Sequence, residues 1–450
     1  MSSDKHPLAY LLHQQGWSAN DYLVRLGAVH QRLGYGPIAR DRKRVTRWTR
    51  GGVTPDTHAQ KAMAALHGVP EYEITARPWP EWLRLACVGK RQLLDAAWTP
   101  ATAIELLDHV ATVGGSMDRR GFLVVSGITP VLAGIITAVP ATASTRGRRI
   151  GAATPKTFEK SLAILRRQDD QFGSGRVHAS AHAQLQLIVG TLKTSSYTEK
   201  TGRRLYGAAA EAGRICGWTA YDSGRHGLAE EYFLAALRAA TSADDPVVTA
   251  NILAFWAGLR YSAGDPRGGA DLATAGADAA RRTGSPRMNA LLYASRARAH
   301  SRAGRVRETE QDIDAAFEAF DRSRDRTDDP DCVYWVTSDE LHMKAGSCEL
   351  SLGRPNRALS RFAQASADLR STAAFQDGFP RDAAIYLIRE GQARADLGDL
   401  DGAVDAGQRA VECLGGVSSA RGSTSLTELR TRLDGHRNVP LVRDFLARTA

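Results

Sequence analysis

The 450 residues carry 59 Lys and Arg against 49 Asp and Glu, a formal net charge of +10, and only 7% are aromatic. Such a length holds two or three domains, because single cores rarely grow past a few hundred residues. The excess charge is concentrated at one end: residues 1–90 hold 13 basic and 7 acidic side chains, and residues 36–50 hold six against one, which points to an anionic partner there.

In chain order, residues 7–15 open with a proline suited to a first helical turn and place Leu8, Leu11 and Leu12 on one face. Ser18 and Asp21 form a capping-box pattern ahead of a second helix with Tyr22, Leu26, Val29 and Leu33 at helical spacing. Gly34-Tyr35-Gly36-Pro37 ends that helix. A third helix is expected over 39–50, and a fourth from Pro55 to Gly68 with Ala59, Met63 and Leu66 inward. On the third, Val45 and Trp48 lie three apart and can bury together, which leaves Arg42, Lys43, Thr46, Arg47 and Arg50 around the outer face. A basic helix with one apolar edge suits a DNA major groove, where phosphates attract the cations and Arg can bond guanine through two parallel hydrogen bonds. The same charge pattern also suits a solvated surface helix.

The string VTRWTRGGVTP, followed by a short helix ending LHGV, resembles the recognition helix and the next helix of phage-repressor-type (XRE) regulators. The resemblance implies that Thr46 and Arg47 face bases while Lys43, Arg44 and Arg50 lie nearer phosphates. This sequence departs from the family in its longer, Gly-rich segment between the second and third helices.

Residues 78–113 read as helical, with Trp79, Trp82, Leu83, Leu93 and Leu94 packed and Thr99-Pro100 opening a new helix. Residues 121–141 contain no charge and could span a hydrocarbon layer as a helix of about 20 residues. Arg119-Arg120 and Ala141-Thr142-Ala143 resemble a twin-arginine export motif and its cleavage site. Two readings stand: a membrane anchor with the N-terminus in the cytoplasm, or an apolar linker helix buried against the repeats or left as a relic of an export signal. Residues 1–30 lack a continuous apolar stretch, so no secretory signal is expected there.

From about residue 155 the chain reads as helices, and from 216 a spaced pattern of small residues recurs five times. The units are Gly217, Gly224, Ala229, Ala236; Ala257, Gly264, Gly269, Gly276; Ala297, Gly304, Thr309, Ala316; Gly346, Gly353, Ala358, Ala365; and Gly391, Gly398, Ala403, Ala410. Their second members, read as turn glycines, lie 40, 40, 49 and 45 residues apart. Small residues let two antiparallel helices approach, and the turn glycine reverses the chain. Phe233, Ile313 and Phe362 fill the space between helices, while Ala273 leaves the second unit weak. No pair can bury its apolar face alone, so pairs stack into a superhelix.

The pattern resembles tetratricopeptide repeats with a longer period. GWTAYDSGRHGLAEEYFLAALRAA, the LG-x-x-x-x-A turns and the closing VPLVRDFLARTA are similar to actinobacterial XRE–tetratricopeptide regulators. That resemblance implies a cytoplasmic protein controlling development or secondary metabolism.

The expected fold is therefore all-α, an N-terminal helix-turn-helix bundle followed by an α-solenoid of tetratricopeptide-like helix pairs. The expected domains are residues 1–76, a helical linker 77–117, the apolar segment 118–150 and the repeats 151–450. No phosphate loop, H-E-x-x-H or G-x-S-x-G motif occurs, so no enzyme activity and no cofactor are expected. His178 and His182 stand four apart without a clustered acid or Cys, which favours packed histidines over a metal site. Cys87, Cys216, Cys332, Cys348 and Cys413 form no C-x-x-C pair and read as structural thiols. Trp218, Tyr221 and Asp222 are candidates for a ligand groove, since stacked helix pairs present a concave face to peptides; simple helix packing also explains them. The expected partners are double-stranded DNA, a peptide or protein ligand of the repeats, and a second copy of the chain. The alternative is a tetratricopeptide-like interaction scaffold, membrane-anchored or not, without DNA binding.

Overall fold

The computed structural model describes residues 6–83 apart from 15–16, 40, 51, 68, 70, 72–73, 76–77 and 81, then 97–113, 128–323, 327–365 and 378–449 apart from 416 and 418. The fold is all-α and solenoid-like, with twenty α-helices and two two-residue strands among the described residues. Two compact units emerge, one within Met1–Ala97 and Ser116–Pro130, the other within Trp98–Gly115 and Val131–Ala450.

In the first unit, α1 (Pro7–Gln14), α2 (Ala19–Arg32), α3 (Arg42–Arg50) and α4 (Thr57–His67) enclose one core. Leu8, Leu11, Tyr22, Leu23, Leu26 and Met63 lie at its centre, joined by Val45, Trp48, Trp82 and Leu83. The Ser18–Asp21 capping box forms as its residue types dictate, starting α2. The third and fourth helices begin later than their apolar periodicity suggested, because carboxylates cap them. Asp41 Oδ1 accepts the Lys43 N–H at 2.9 Å, and Asp56 Oδ1 accepts the Ala59 N–H at 2.8 Å.

The second unit starts with α5 (Pro100–Val113), opened by Thr99 Oγ1 accepting the Thr102 N–H. Read from sequence as part of a linker, this helix packs instead on later helices of the repeat unit. The described part of the apolar segment contains α6 (Thr129–Thr137), only nine residues long. Beyond it the chain is extended and fastened by Val139 N–H to Trp98 O (2.9 Å) and Ala141 N–H to Ser242 O (2.7 Å). Arg119, Arg120 and residues 121–127 lie outside the described residues, as do Leu93, Leu94 and Cys87. No helix among the described residues is long and apolar enough to cross a membrane.

A hairpin of α7 (Ala153–Phe172) and α8 (Ser174–Thr194) precedes five further pairs. These are α9 (Glu199–Asp222) with α10 (His226–Ala243), α11 (Pro246–Ser262) with α12 (Pro266–Thr283), α13 (Pro286–Arg302) with α14 (Val306–Asp321), α15 (Ser338–Ser351) with α16 (Pro355–Gln364), and α17 (Pro380–Asp396) with α18 (Leu400–Leu414). Helices α19 (Ala420–Leu433) and α20 (Pro440–Arg448) close the chain. The strand pair Arg148–Arg149 and Ser195–Ser196 is parallel.

Each pair is one unit of the small-residue pattern. Gly224, Gly264, Gly304, Gly353 and Gly398 all sit in the turns at positive φ, between 70° and 93°, a conformation that costs a residue with Cβ about 1–2 kcal/mol. The other small positions are where backbones meet. A Cβ on Gly217 would lie 2.8 Å from the Phe233 ring, and one on Gly346 would lie 2.4 Å from the Phe362 ring. Phe233, Ile313 and Phe362 are buried as space-fillers, and Ala273 is buried too. In the second unit Gly276 takes the side chain of Leu292 from the next helix, where a Cβ would sit 2.4 Å away.

Gly346→Ala should therefore destabilise the array by about 1–3 kcal/mol through overpacking, and Gly353→Ala by about 1–2 kcal/mol through its positive φ. Both shifts are read from urea or thermal melts of the full chain, and unchanged midpoints would refute the close-approach account.

Candidate nucleic-acid interface and the interior of the repeat array

Helix α3 is held by its two apolar residues. Val45 and Trp48 are 4% and 3% exposed, which fixes the rotation of the helix about its axis. Arg42, Lys43, Thr46, Arg47 and Arg50 are consequently exposed, and Arg44 is half-buried. Arg44 leans across the Trp48 ring, 5.3 Å from its centroid, and reaches Asp56 Oδ2 at 3.4 Å. Arg47 lies 3.4 Å from Asp41 Oδ2. Both pairs are solvent-facing and long, so they hold their arginines weakly. Lys43 and Arg50 pair with no carboxylate among the described residues. The result is a cationic face with two side chains free of acidic partners there and two others easily released.

In the connection from α2 to α3, residues 33–39 and 41 are held by specific contacts. Gly34 and Gly36 adopt positive φ, and the Tyr35 N–H donates to His30 O at 3.0 Å. The buried His30 uses Nδ1 to meet Gly36 O at 2.8 Å, and Tyr35 stacks on His58 with ring centroids 4.4 Å apart. Ile38 then turns into the core beside Gly27. The connector is longer than a tight turn, yet it delivers α3 to the core by these anchors.

In the second unit, α11, α13, α15, α17 and α19 lie side by side in that order, as the first helices of successive pairs plus the closing helix, with α9 preceding them. Trp218, Tyr221 and Asp222 stand at the end of α9. Asp222 is fully buried and Tyr221 nearly so, whereas Trp218 keeps some exposure. Trp218 Nε1 donates to Asp169 Oδ2 of α7 at 2.7 Å. Asp222 Oδ1 accepts from Ser419 Oγ at 2.8 Å, and Arg381 Nη1 approaches Asp169 Oδ2 at 3.1 Å and Asp222 Oδ2 at 3.6 Å. Arg421 lies over both the Trp218 and Tyr221 rings, at 4.8 and 5.5 Å.

The three sequence candidates are thus brought together, but as the seam where the beginning of the array meets its end. Burial pushes the Asp222 carboxyl up, against the pull of Arg381 and Arg421. Arg381 goes well above the ordinary range, because Asp169, Asp222, Asp382 and Asp170 outweigh the burial that opposes its charge.

Sequence reasoning missed Arg381 and Arg421, which lie about two hundred positions from the residues they meet. The residue after each unit's first small residue, namely Trp218, Gly258, Arg298, Ser347 and Gln392, borders the pair interface by its spacing, but that spacing marks neither Arg381 nor Arg421.

His178 and His182 are packed histidines. Their Nδ1 atoms meet Thr219 Oγ1 at 2.7 Å and Tyr232 OH at 2.9 Å, and burial lowers His178 to about 4. No group of three or more His, Cys, Asp or Glu side chains among the described residues is arranged to hold a metal ion. Cys216, Cys332 and Cys348 are buried and unpaired, and Cys413 is half-buried. No protein-family model matches the chain, and no curated protein matches it.

Removing Arg381 as Arg381→Leu should destabilise the array by about 3–5 kcal/mol, because Asp169 and Asp222 are left buried without their partner. A melting midpoint within experimental error of the native chain would contradict the seam. A second test lies beside it. Asp170, hydrogen-bonded by Tyr334, has its carboxyl raised to about 7, chiefly by burial. A raised folded pKa means the folded state holds this proton more tightly, so its contribution is full below the unfolded pKa near 4 and is lost as pH rises through about 7. Asp170→Asn should flatten the decline in stability between pH 4 and 7, and an identical pH profile would count against it.

Proposed function

We propose that the protein is a transcriptional regulator in which α3 enters the DNA major groove and the repeat array receives a peptide or protein ligand, dimerises, or does both. The observation that carries this reading is the exposed cationic face of α3, rigidly rotated outward by Val45 and Trp48. Thr46 and Arg47 would meet base edges, with Lys43, Arg44 and Arg50 nearer phosphates and Arg42 on the same cationic face. The ligand would act by changing how two DNA-binding modules are spaced, because dimer geometry sets half-site spacing. On this reading the protein works in the cytoplasm, in the control of development or secondary metabolism.

Binding is tested with a genomic target recovered by chromatin immunoprecipitation. Lys43→Ala should weaken binding across all sequences and reduce the salt slope by about one, whereas Arg47→Ala should also relax base preference at one position, costing about 1–3 kcal/mol. Unchanged affinity in both variants removes the recognition-helix assignment. A scaffold without DNA affinity is the second reading, favoured by the nine-residue connector ahead of α3. Chromatin profiles without discrete peaks would select it.

A further inference from the structure

The inner helices of the array bring together cations that the fold does not neutralise. Arg298 of α13 is 3% exposed, and its Nη1 donates to Ser347 O at 2.6 Å and Ser351 Oγ at 3.1 Å. Arg389 of α17 points its Nη1 at the same residue, donating to Ser347 Oγ at 2.8 Å. Two guanidinium groups from helices 91 positions apart in sequence therefore converge on one serine. Neither pairs with a carboxylate among the described residues.

Burying a guanidinium without a counter-charge costs free energy, and a second one beside it adds repulsion. Burial, with Arg298 and Arg421 nearby, accordingly lowers Arg389 to about 10. The surroundings add further cations. Tyr261 of α11 lies beneath Arg298, its ring centroid 5.8 Å away. Burial alone would push its phenol up, yet Lys344, Arg298, Arg421 and Arg389 together hold it below the ordinary value. Lys344 has Glu340 at 3.2 Å and Arg421 has Asp222 at 3.8 Å, so the acids of this interior serve those two and the Arg381 seam. The charge left over belongs to Arg298 and Arg389. Arg389 and Tyr261, with Lys344 and Arg421 beside them, keep accessible surface, while Arg298 and Ser347 lie buried beneath, so the site is approached through Arg389 and Tyr261.

We propose that Arg298 and Arg389, converging on Ser347 with Tyr261 beside them, form an oxyanion site inside the repeat array that takes a carboxylate of a bound peptide. This deepens, and rests on, the reading of the array as a ligand-binding module. A carboxylate matches the planar fork of each guanidinium and supplies the missing counter-charge. A peptide is favoured because the site lies on a row of helices that continues on both sides, with the half-exposed rings of Phe255, Trp335 and Trp218 close by for neighbouring side chains.

The test presents a random heptapeptide library, half with free C-termini and half amidated, to the purified full-length protein. Peptides carrying Asp, Glu or a free C-terminus should be enriched, and amidating or replacing that one acid should weaken binding about tenfold or more. Arg389→Gln should abolish the preference for acid over amide, while Arg389→Lys should retain part of it. Arg389 is chosen because it is less buried than Arg298, and equal thermal melts of native chain and variant show that folding is intact. If Arg298→Gln fails to fold, the Arg389 pair decides alone. Free C-termini and acidic side chains are told apart by which half of the library is enriched. Enrichment of peptides without any acid preserves a peptide groove and overturns the oxyanion site. No enrichment, or binding of inorganic phosphate alone, overturns both this site and the peptide-binding reading.

Discussion

In the repeat pairs of this chain, helices approach most closely where one of them offers no side chain or a single methyl group. Gly217 against Phe233 and Gly346 against Phe362 are the same contact made twice, and Gly391 meets the Ala403 carbonyl as Gly217 meets that of Ala229. Each contact sets the distance between two helices, and the turn glycine beyond it sets their return angle. Stacking is the result, because the faces left uncovered by one pair are buried by the next. Which residues line the interior is then no longer a free choice.

That geometry explains why charge can sit inside a largely apolar assembly. The interior of a stacked array is shielded without being a close-packed core, so polar side chains there must find partners from other helices. Arg381 does so with Asp169 and Asp222, joining elements from opposite ends of the array. Arg166 does so with Glu211, which Arg214 also grips in bidentate fashion. Where partners run out, at Arg298 and Arg389, the imbalance is a property of the folded array and not of any one helix.

The first unit obeys a different logic. Four short helices share one core, and a single helix shows its basic side outward because Val45 and Trp48 are committed inward. The acids near it, Asp41 and Asp56, each do two things: they cap a helix and they hold an arginine loosely. The outward face is therefore ordered but not locked.

Much of this was written in local pattern. The capping box at Ser18, the burial of Val45 and Trp48, the five turn glycines and the aromatic fillers Phe233 and Phe362 all depend on spacings of a few residues, which helical geometry converts directly into faces and turns. The starts of α3 and α4 were less legible, since their carboxylate caps stand outside the apolar periodicity. Trp218, Tyr221 and Asp222 were recognisable as a polar-aromatic group, but their burial in a seam was not, because Arg381, Ser419 and Arg421 come from far along the chain. The convergence of Arg298 and Arg389 on Ser347 belongs wholly to the tertiary structure. A helix's own sequence tells which residues share a face; only the curvature of the stack decides which faces meet across the interior, and whether their charges cancel.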